Sequence, residues 1–412
     1  MIAIIKIGTD NVVSNAQISF FEIDITYSLK EYCYKYGQRI RLRQVAKIRY
    51  HYCNVVVFLG HIMRHFSYLL FAPCIALSAN AIAEVGYAGG FWINYSYDEN
   101  SYDTNLGDQA LIFYIDKKED KTSPWHYSAE LRLGPGGFSD PDNNTTGSDY
   151  VLHKAWVSYD FNESHKLIIG KSQLPFAWKT ANFWPGDMFL AAYGDQMDVG
   201  LKYQGNFSNT AIQIAYYPRD DWRSTSTDST DDNRHWGSRQ TYRKLNTLVG
   251  DFQWHFSDLH TLGLSAQTAE LEEFLTGNKQ TDGEHQAMTA YYLGNFENWG
   301  LKLSYIDGER QLPNAYLTAN NLPKEIKNTR YNAELSYQMG DWTFLIDATF
   351  AKSDTQGGVD STVSAWAPGV RYNYGPGWVY LEYLNQDAWF DRDMRINKGD
   401  FSAWYLTLDY YW

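Results

Sequence analysis

The sequence predicts an all-β chain whose residues 84–412 close into a transmembrane antiparallel up-and-down β-barrel of about sixteen strands. Three observations predict it. The chain is rich in aromatic residues yet polar on average, its segments alternate apolar and polar side chains with a period of two, and its joins are alternately short and long.

Aromatic residues make up 17% of the 412, with 33 Tyr and 15 Trp, while the mean hydropathy is −0.46. A helical membrane protein needs about 20 consecutive apolar residues per span, which raises the mean. A barrel turns one apolar face to lipid, sets aromatics at both interfaces and keeps its interior polar. A soluble aromatic-rich sandwich fits composition equally well, so the choice rests on pattern. The net charge of −13, with Lys and Arg concentrated only in 39–49, argues against a nucleic-acid partner, which needs a basic face.

One region has the layout of a targeting segment. Met63-Arg64-His65 gives a charged start, 66–77 an apolar stretch, and Ala79-Asn80-Ala81 and Ala81-Ile82-Ala83 the small-x-small pattern of a cleavage site. The expectation is a signal peptide at 63–83, a mature start at Glu84 (or Ile82), and an upstream extension at 1–62 from a start codon placed too early. That extension is more basic and lacks alternation. The competing reading is a genuine soluble N-terminal domain with a buried helix at 66–77. Cys33, Cys53 and Cys74 all precede the cut, as suits a chain folding in an oxidising compartment. Phe71-Ala72-Pro73 before Cys74 is a poor lipid-attachment box.

Beyond Glu84, period-two alternation sends successive side chains to opposite faces. In 125–133, Trp125, Tyr127, Ala129, Leu131 and Leu133 share one face and His126, Ser128, Glu130 and Arg132 the other. Phe252, Trp254 and Phe256 alternate with Asp251, Gln253 and His255; Tyr331, Ala333, Leu335 and Tyr337 with Arg330, Asn332, Glu334 and Ser336; Trp342, Phe344, Ile346, Ala348 and Phe350 lie opposite Asp347. Strands are expected near 87–97, 108–115, 125–133, 152–161, 165–174, 197–204, 209–217, 245–256, 260–270, 285–295, 299–307, 329–338, 342–352, 363–374, 377–385 and 401–412. Short turns are expected at 162–164, 205–208, 257–259, 297–298, 339–341 and 375–377, and long loops at 134–151, 175–196, 218–244, 271–284, 308–328, 353–362 and 386–400. Strict alternation of short and long joins is barrel topology. The last segment ends on an aromatic, with Trp404, Leu406, Leu408, Tyr410 and Trp412 on one face. This resembles the C-terminal signal that barrel-assembly machinery recognises in outer-membrane proteins.

No catalytic constellation stands out: G-x-S-x-G, H-E-x-x-H and the P-loop are absent. His126, His153, His165, His235, His255, His260 and His285 are scattered one per segment. The oxygen-rich runs Asp140–Asn144 and Asp228–Asn233 lack EF-hand spacing and read as solvated loops. Neither cofactor nor metal is expected.

The join after the fifth strand is long, aromatic (Phe176, Trp178, Phe183, Trp184, Phe189, Tyr193) and little charged. The blocks Gly170–Phe176, Asn182-Phe183-Trp184 and Asp198–Tyr203 resemble the phosphate-selective porin O/P family over about forty residues. The resemblance implies a trimeric, sixteen-stranded barrel whose third loop narrows the pore. Selectivity does not carry over with it. Lys171, Lys179 and Lys202 are offset by Asp187, Asp195 and Asp198, and the interior candidates Glu130, Arg132, Asp251, Lys302, Arg330, Glu334, Asp347, Arg371 and Glu382 are of both signs. The expected function is passive diffusion of small hydrophilic solutes or ions through an outer-membrane porin. Its expected partners are outer-membrane lipid and lipopolysaccharide, barrel-assembly machinery and two further copies of the chain. A barrel enzyme, or an adhesive or structural surface barrel using the 218–244 loop, is the alternative.

Overall fold

The structure is a computed structural model. It describes residues 85–117, 123–134, 150–178, 197–219, 242–273, 280–314, 324–353, 362–390 and 396–412, all within one of two compact units, Ala83–Trp412. Sixteen strands follow in order: β1 (Val85–Asp98), β2 (Thr104–Lys117), β3 (Trp125–Leu133), β4 (Tyr150–Asn162), β5 (His165–Gln173), β6 (Met197–Phe207), β7 (Thr210–Arg219), β8 (Tyr242–Ser257), β9 (His260–Glu273), β10 (Thr281–Phe296), β11 (Trp299–Gln311), β12 (Glu325–Met339), β13 (Trp342–Ser353), β14 (Thr362–Asn373), β15 (Trp378–Phe390) and β16 (Ile396–Tyr411). Each pairs antiparallel with its sequence neighbours, and β1 pairs with β16 to close the barrel. Closure satisfies every strand's backbone groups without leaving an edge in lipid.

Every expected strand falls on one observed strand, but most run further toward the long loops. β10 starts at Thr281 rather than 285, and β16 at Ile396 rather than 401. Expected ends were set where apolar residues stop alternating. The hydrogen-bonded ladder continues past the lipid-facing band with polar residues such as Thr281, Asp282 and Asn397. The alternation of joins is not strict at the start of the barrel. The β1–β2 join is five residues, 99–103, and the β2–β3 join seven, 118–124. The first is kept short by a hook onto β16: Glu99 N donates to the Ser402 carbonyl at 2.8 Å and Asn100 Nδ2 to the Asp400 carbonyl at 2.7 Å. Elsewhere two-residue turns join β4–β5, β6–β7, β8–β9, β10–β11 and β12–β13. Gly340, with φ of 58° and open space around its missing Cβ, supplies the left-handed residue that such hairpins require.

Burial alternates strictly along β13: Trp342, Phe344, Ile346, Ala348 and Phe350 face out, and Thr343, Leu345, Asp347, Thr349 and Ala351 face in. In water such an outer face would cost about 25 cal/mol per Å² of exposed apolar surface, so it belongs in lipid. At the short-turn end, six odd-numbered strands begin with a ring packed on a tyrosine of the following strand: Trp125 on Tyr159, His165 on Tyr203, His260 on Tyr292, Trp299 on Tyr337, Trp342 on Tyr372 and Trp378 on Tyr411, with ring centroids 4.6–6.0 Å apart. The two histidine versions are near copies. Each His Nδ1 pairs with the Tyr hydroxyl at 2.7 or 2.8 Å, opposite Gly205 or Gly294, where a Cβ would collide with that hydroxyl. A second aromatic belt includes Tyr305, Tyr331 and Phe350, then Trp366, Tyr383 and Trp404. On β12 the belts are six residues apart (Tyr331 to Tyr337), roughly 20 Å along the strand. Trp404, Leu406, Leu408, Tyr410 and Trp412 all face outward. At the seam, Trp412 and Gly89 exchange backbone hydrogen bonds of 2.9 and 3.2 Å, and the Trp412 ring lies where a Cβ on Gly89 would be.

Candidate functional site: the barrel interior and the segment after β5

The inward faces carry most of the buried polar and charged side chains, as in a barrel with a polar interior. One stretch of inner wall departs from this. Tyr217 on β7, Val249 on β8, Leu271 on β9, Ile306 on β11 and Ile326 on β12 form an apolar cluster with Leu174 and Phe176. Leu174 and Phe176 follow β5, so the chain leaving that strand turns into the barrel and lies along the inner wall of β7–β12. An inward apolar residue is stable there because chain, not water, covers it.

The described part of the segment is held just after β5 and again at Ala177 and Trp178. At the base, the carbonyl of Gln173 accepts from Lys202 Nζ at 2.8 Å and from the Tyr217 hydroxyl at 3.4 Å. Further along, Ala177 adopts φ of 56°, a left-handed conformation that a residue with a Cβ rarely takes. Its N–H donates to Ser265 Oγ at 3.1 Å. The Ser265 hydroxyl in turn donates to Asp251 Oδ1 at 2.7 Å, as does Tyr291 at 2.8 Å, while Gln253 donates to Oδ2 at 3.0 Å. Trp178 packs on Tyr291, with Lys302 Nζ 5.2 Å from its ring centroid, an arrangement favoured by the negative face of the indole. Lys302 also pairs with Glu334 at 2.9 Å. Tyr291 lies flat because its cross-strand partner is Gly263, where any Cβ would fall inside the ring.

The residues nominated from sequence are dispersed. Glu130 and Arg132 face inward on β3 and pair at 2.6 Å; Lys154 stands 3.9 Å from Glu130, and Arg132 lies over Trp92. Asp198 is buried opposite Ser172, and Lys202 faces inward at the base of the segment. Lys171 is buried, but its register neighbours are Ala155 and Val199, and Val199 faces outward with Ile169. Arg330 is fully buried on β12 and donates to Asn328 at 2.8 Å. Arg371 lies two residues from the short-turn end of β14, 3.3 Å from Thr343 Oγ1. Asp251, Glu334, Asp347 and Glu382 are buried on inward registers, with Glu334 directly opposite Asp347. Like charges so placed repel, and Lys302 on the other flank of Glu334 offsets this. Lys179, Asp187, Asp195 and the runs 140–144 and 228–233 lie outside the described residues. Among the described residues, no group of three or more His, Cys, Asp or Glu side chains gathers as a metal site.

Sequence reasoning missed Ser265 and Tyr291. A serine or tyrosine on the polar face of a strand carries no sign of the loop it will meet. The apolar inward positions Val249 and Ile306, which break the polar face of their strands, were the available signal.

A closed sixteen-stranded antiparallel barrel with a lipid-facing apolar belt, aromatic girdles and chain folded into its interior is a porin-like barrel of the bacterial outer membrane. Comparison with known proteins agrees at the level of fold. No protein-family profile matches the sequence, and no curated protein matches it significantly. Among solved structures, OmpT of Vibrio cholerae, an outer membrane protein in a trimer form, superposes with TM-score 0.57 at 12% identity, over 80% of this chain and 99% of that one. Salmonella typhi OmpF in complex with daunomycin gives 0.57 at 9% identity, over 80% and 97%. An anion-selective porin from Comamonas acidovorans gives 0.51 at 13% identity, over 80% and 99%.

Proposed function

We propose that the protein is a diffusion porin, a water-filled channel for small hydrophilic solutes or ions, narrowed by the segment that follows β5. The observation that carries this reading is the inward turn of Leu174–Trp178 onto the wall of β7–β12. A chain seated inside a barrel of this size reduces the open cross-section. No catalytic role is proposed.

Selectivity should be weak. The nominated charges are of both signs: Glu130, Asp187, Asp195 and Asp198 against Arg132, Lys171, Lys179, Lys202, Arg330 and Arg371. The likeness of 170–203 to phosphate-selective porins bears on the position of the narrowing segment, not on the ion. In a narrow passage a charge acts at lower effective dielectric than in bulk water. Lys179→Gln should therefore shift the reversal potential toward cations and Asp187→Asn toward anions, both shifts shrinking at high salt.

The protein is further proposed to assemble as a homotrimer, embedded in outer-membrane lipid and lipopolysaccharide, after cleavage near Glu84. The outward aromatic strand ending at Trp412 would serve as the signal to the barrel-assembly machinery. The decisive test is reconstitution in a planar bilayer. Stable, ohmic current steps with a reversal potential near zero in a salt gradient are expected. Absence of any current would overturn the channel reading in favour of a barrel enzyme or an adhesive barrel.

A further inference from the structure

We propose that Asp251 is a positioning residue that keeps the segment after β5 seated, so that the channel is quiet because of one buried carboxylate. The proposal rests on the channel reading above and deepens it.

Asp251 is buried on the inner wall of β8. Its charge is met by three neutral donors: Ser265, Tyr291 and Gln253. A buried carboxylate is costly unless such donors satisfy it, so it holds them in fixed orientations. The consequence for the loop is specific. A hydroxyl has one hydrogen to give. Because Ser265 gives that hydrogen to Asp251, its lone pairs are left for the Ala177 N–H. The second donor, Tyr291, is the surface on which Trp178 packs. Asp251 therefore fixes both the hydrogen bond and the ring that hold Ala177 and Trp178. The backbone is also strained at Ala177, so the seated state has a stored tendency to release.

The arrangement separates geometry from charge. Asp251→Ala removes the acceptor for all three donors. Asp251→Asn removes the charge but keeps an acceptor oxygen for Ser265 and Tyr291, and Gln253 can turn its amide to meet the new NH₂. Ser265→Ala breaks the link to Ala177 and leaves the charge. Single-channel recordings should show Asp251→Ala and Ser265→Ala flickering about tenfold more often than wild type, the factor expected from loss of one buried hydrogen bond. Asp251→Asn should stay quiet. Ala177→Gly, which relieves the strained backbone, should be quieter than wild type. An Ala177→Cys, Ser265→Cys pair, once oxidised, should restore quiet current to Asp251→Ala.

Equal noise in the Ala and Asn variants would mean that charge rather than seating is responsible, and would overturn the proposal. So would a quiet Asp251→Ala channel. If the wild type carries no current, the channel reading fails separately. The seating can then still be read from trypsin cleavage at Lys179 in folded barrel: faster cleavage in Asp251→Ala than in wild type supports it, and equal rates overturn it.

Discussion

The two ends of the barrel are built on different rules. At the short-turn end one joint recurs around the wall, a ring at the start of an odd strand packed on a tyrosine of the next, as in Trp299 on Tyr337 and Trp342 on Tyr372. Toward the long loops the strands differ from one another, and the inner wall changes character where the segment after β5 rests on Val249, Leu271 and Ile306. Repetition answers a uniform surrounding, the edge of a lipid bilayer. Irregularity answers a particular neighbour, and it is there that the proposed narrowing sits.

The largest effect expected from breaking this contrast is at the seam. Removing Trp412 deletes its backbone exchange with Gly89 and the ring that covers that glycine. It should leave little heat-modifiable barrel in the outer membrane, with degraded chain in its place. Normal levels of folded barrel would show that the terminal residue does not matter.

Gly263→Val should come next. The new side chain would occupy the position of the Tyr291 ring, and overpacking of this kind costs about 1–3 kcal/mol. Denaturant unfolding in detergent should report the loss, and displacement of Tyr291 from Asp251 should appear as channel noise. The repeated joints predict something smaller and more regular. His165→Ala and His260→Ala each lose the hydrogen bond and the stack on the paired tyrosine, about 1 kcal/mol apiece, and His260→Ala loses a further stack on Phe256, so its loss should be the larger. Being far apart, they should add. Strongly coupled losses would show that the joints are not independent. The smallest effect is expected from Arg371→Gln. This residue is half-buried near the short-turn mouth. The reversal potential should move slightly toward cations and return to the wild-type value near 1 M salt, where screening acts over about 3 Å.

The same contrast explains what could be read before the structure. Outward faces such as Trp342, Phe344 and Ile346 were legible because lipid imposes one requirement on every other residue of every strand. Strand number and order followed from counting such runs. Strand ends were less legible: the ladder of β10 continues through Thr281 and Asp282, where hydrogen bonding persists without an apolar face. Of the interior, the general polarity was visible in Asp251, Glu334 and Asp347. Their partners were not, because an inward side chain is chosen by residues distant in sequence. Ala177 meets Ser265 across 88 positions, and nothing in an alanine announces a left-handed backbone. The shortness of the first join was not legible for the same reason, since the hook of Glu99 and Asn100 onto β16 joins neighbouring strands that lie about 300 positions apart in sequence.

The paired joints at His165 and His260 have one further consequence. The hairpin β5–β6 ends in Gly205-Asn206-Phe207 and the hairpin β9–β10 in Gly294-Asn295-Phe296. In each, histidine, tyrosine and phenylalanine meet at matching distances. An edge of β5 prepared to receive β6 is thus chemically an edge prepared to receive β10. Splicing the chain between those two points would remove four strands and leave a joint of the same kind, in a ring of twelve rather than sixteen. Barrel diameter grows roughly in proportion to strand number, so a ring spliced in this way should be narrower by two whole hairpins, with the membrane edge serving as the ruler.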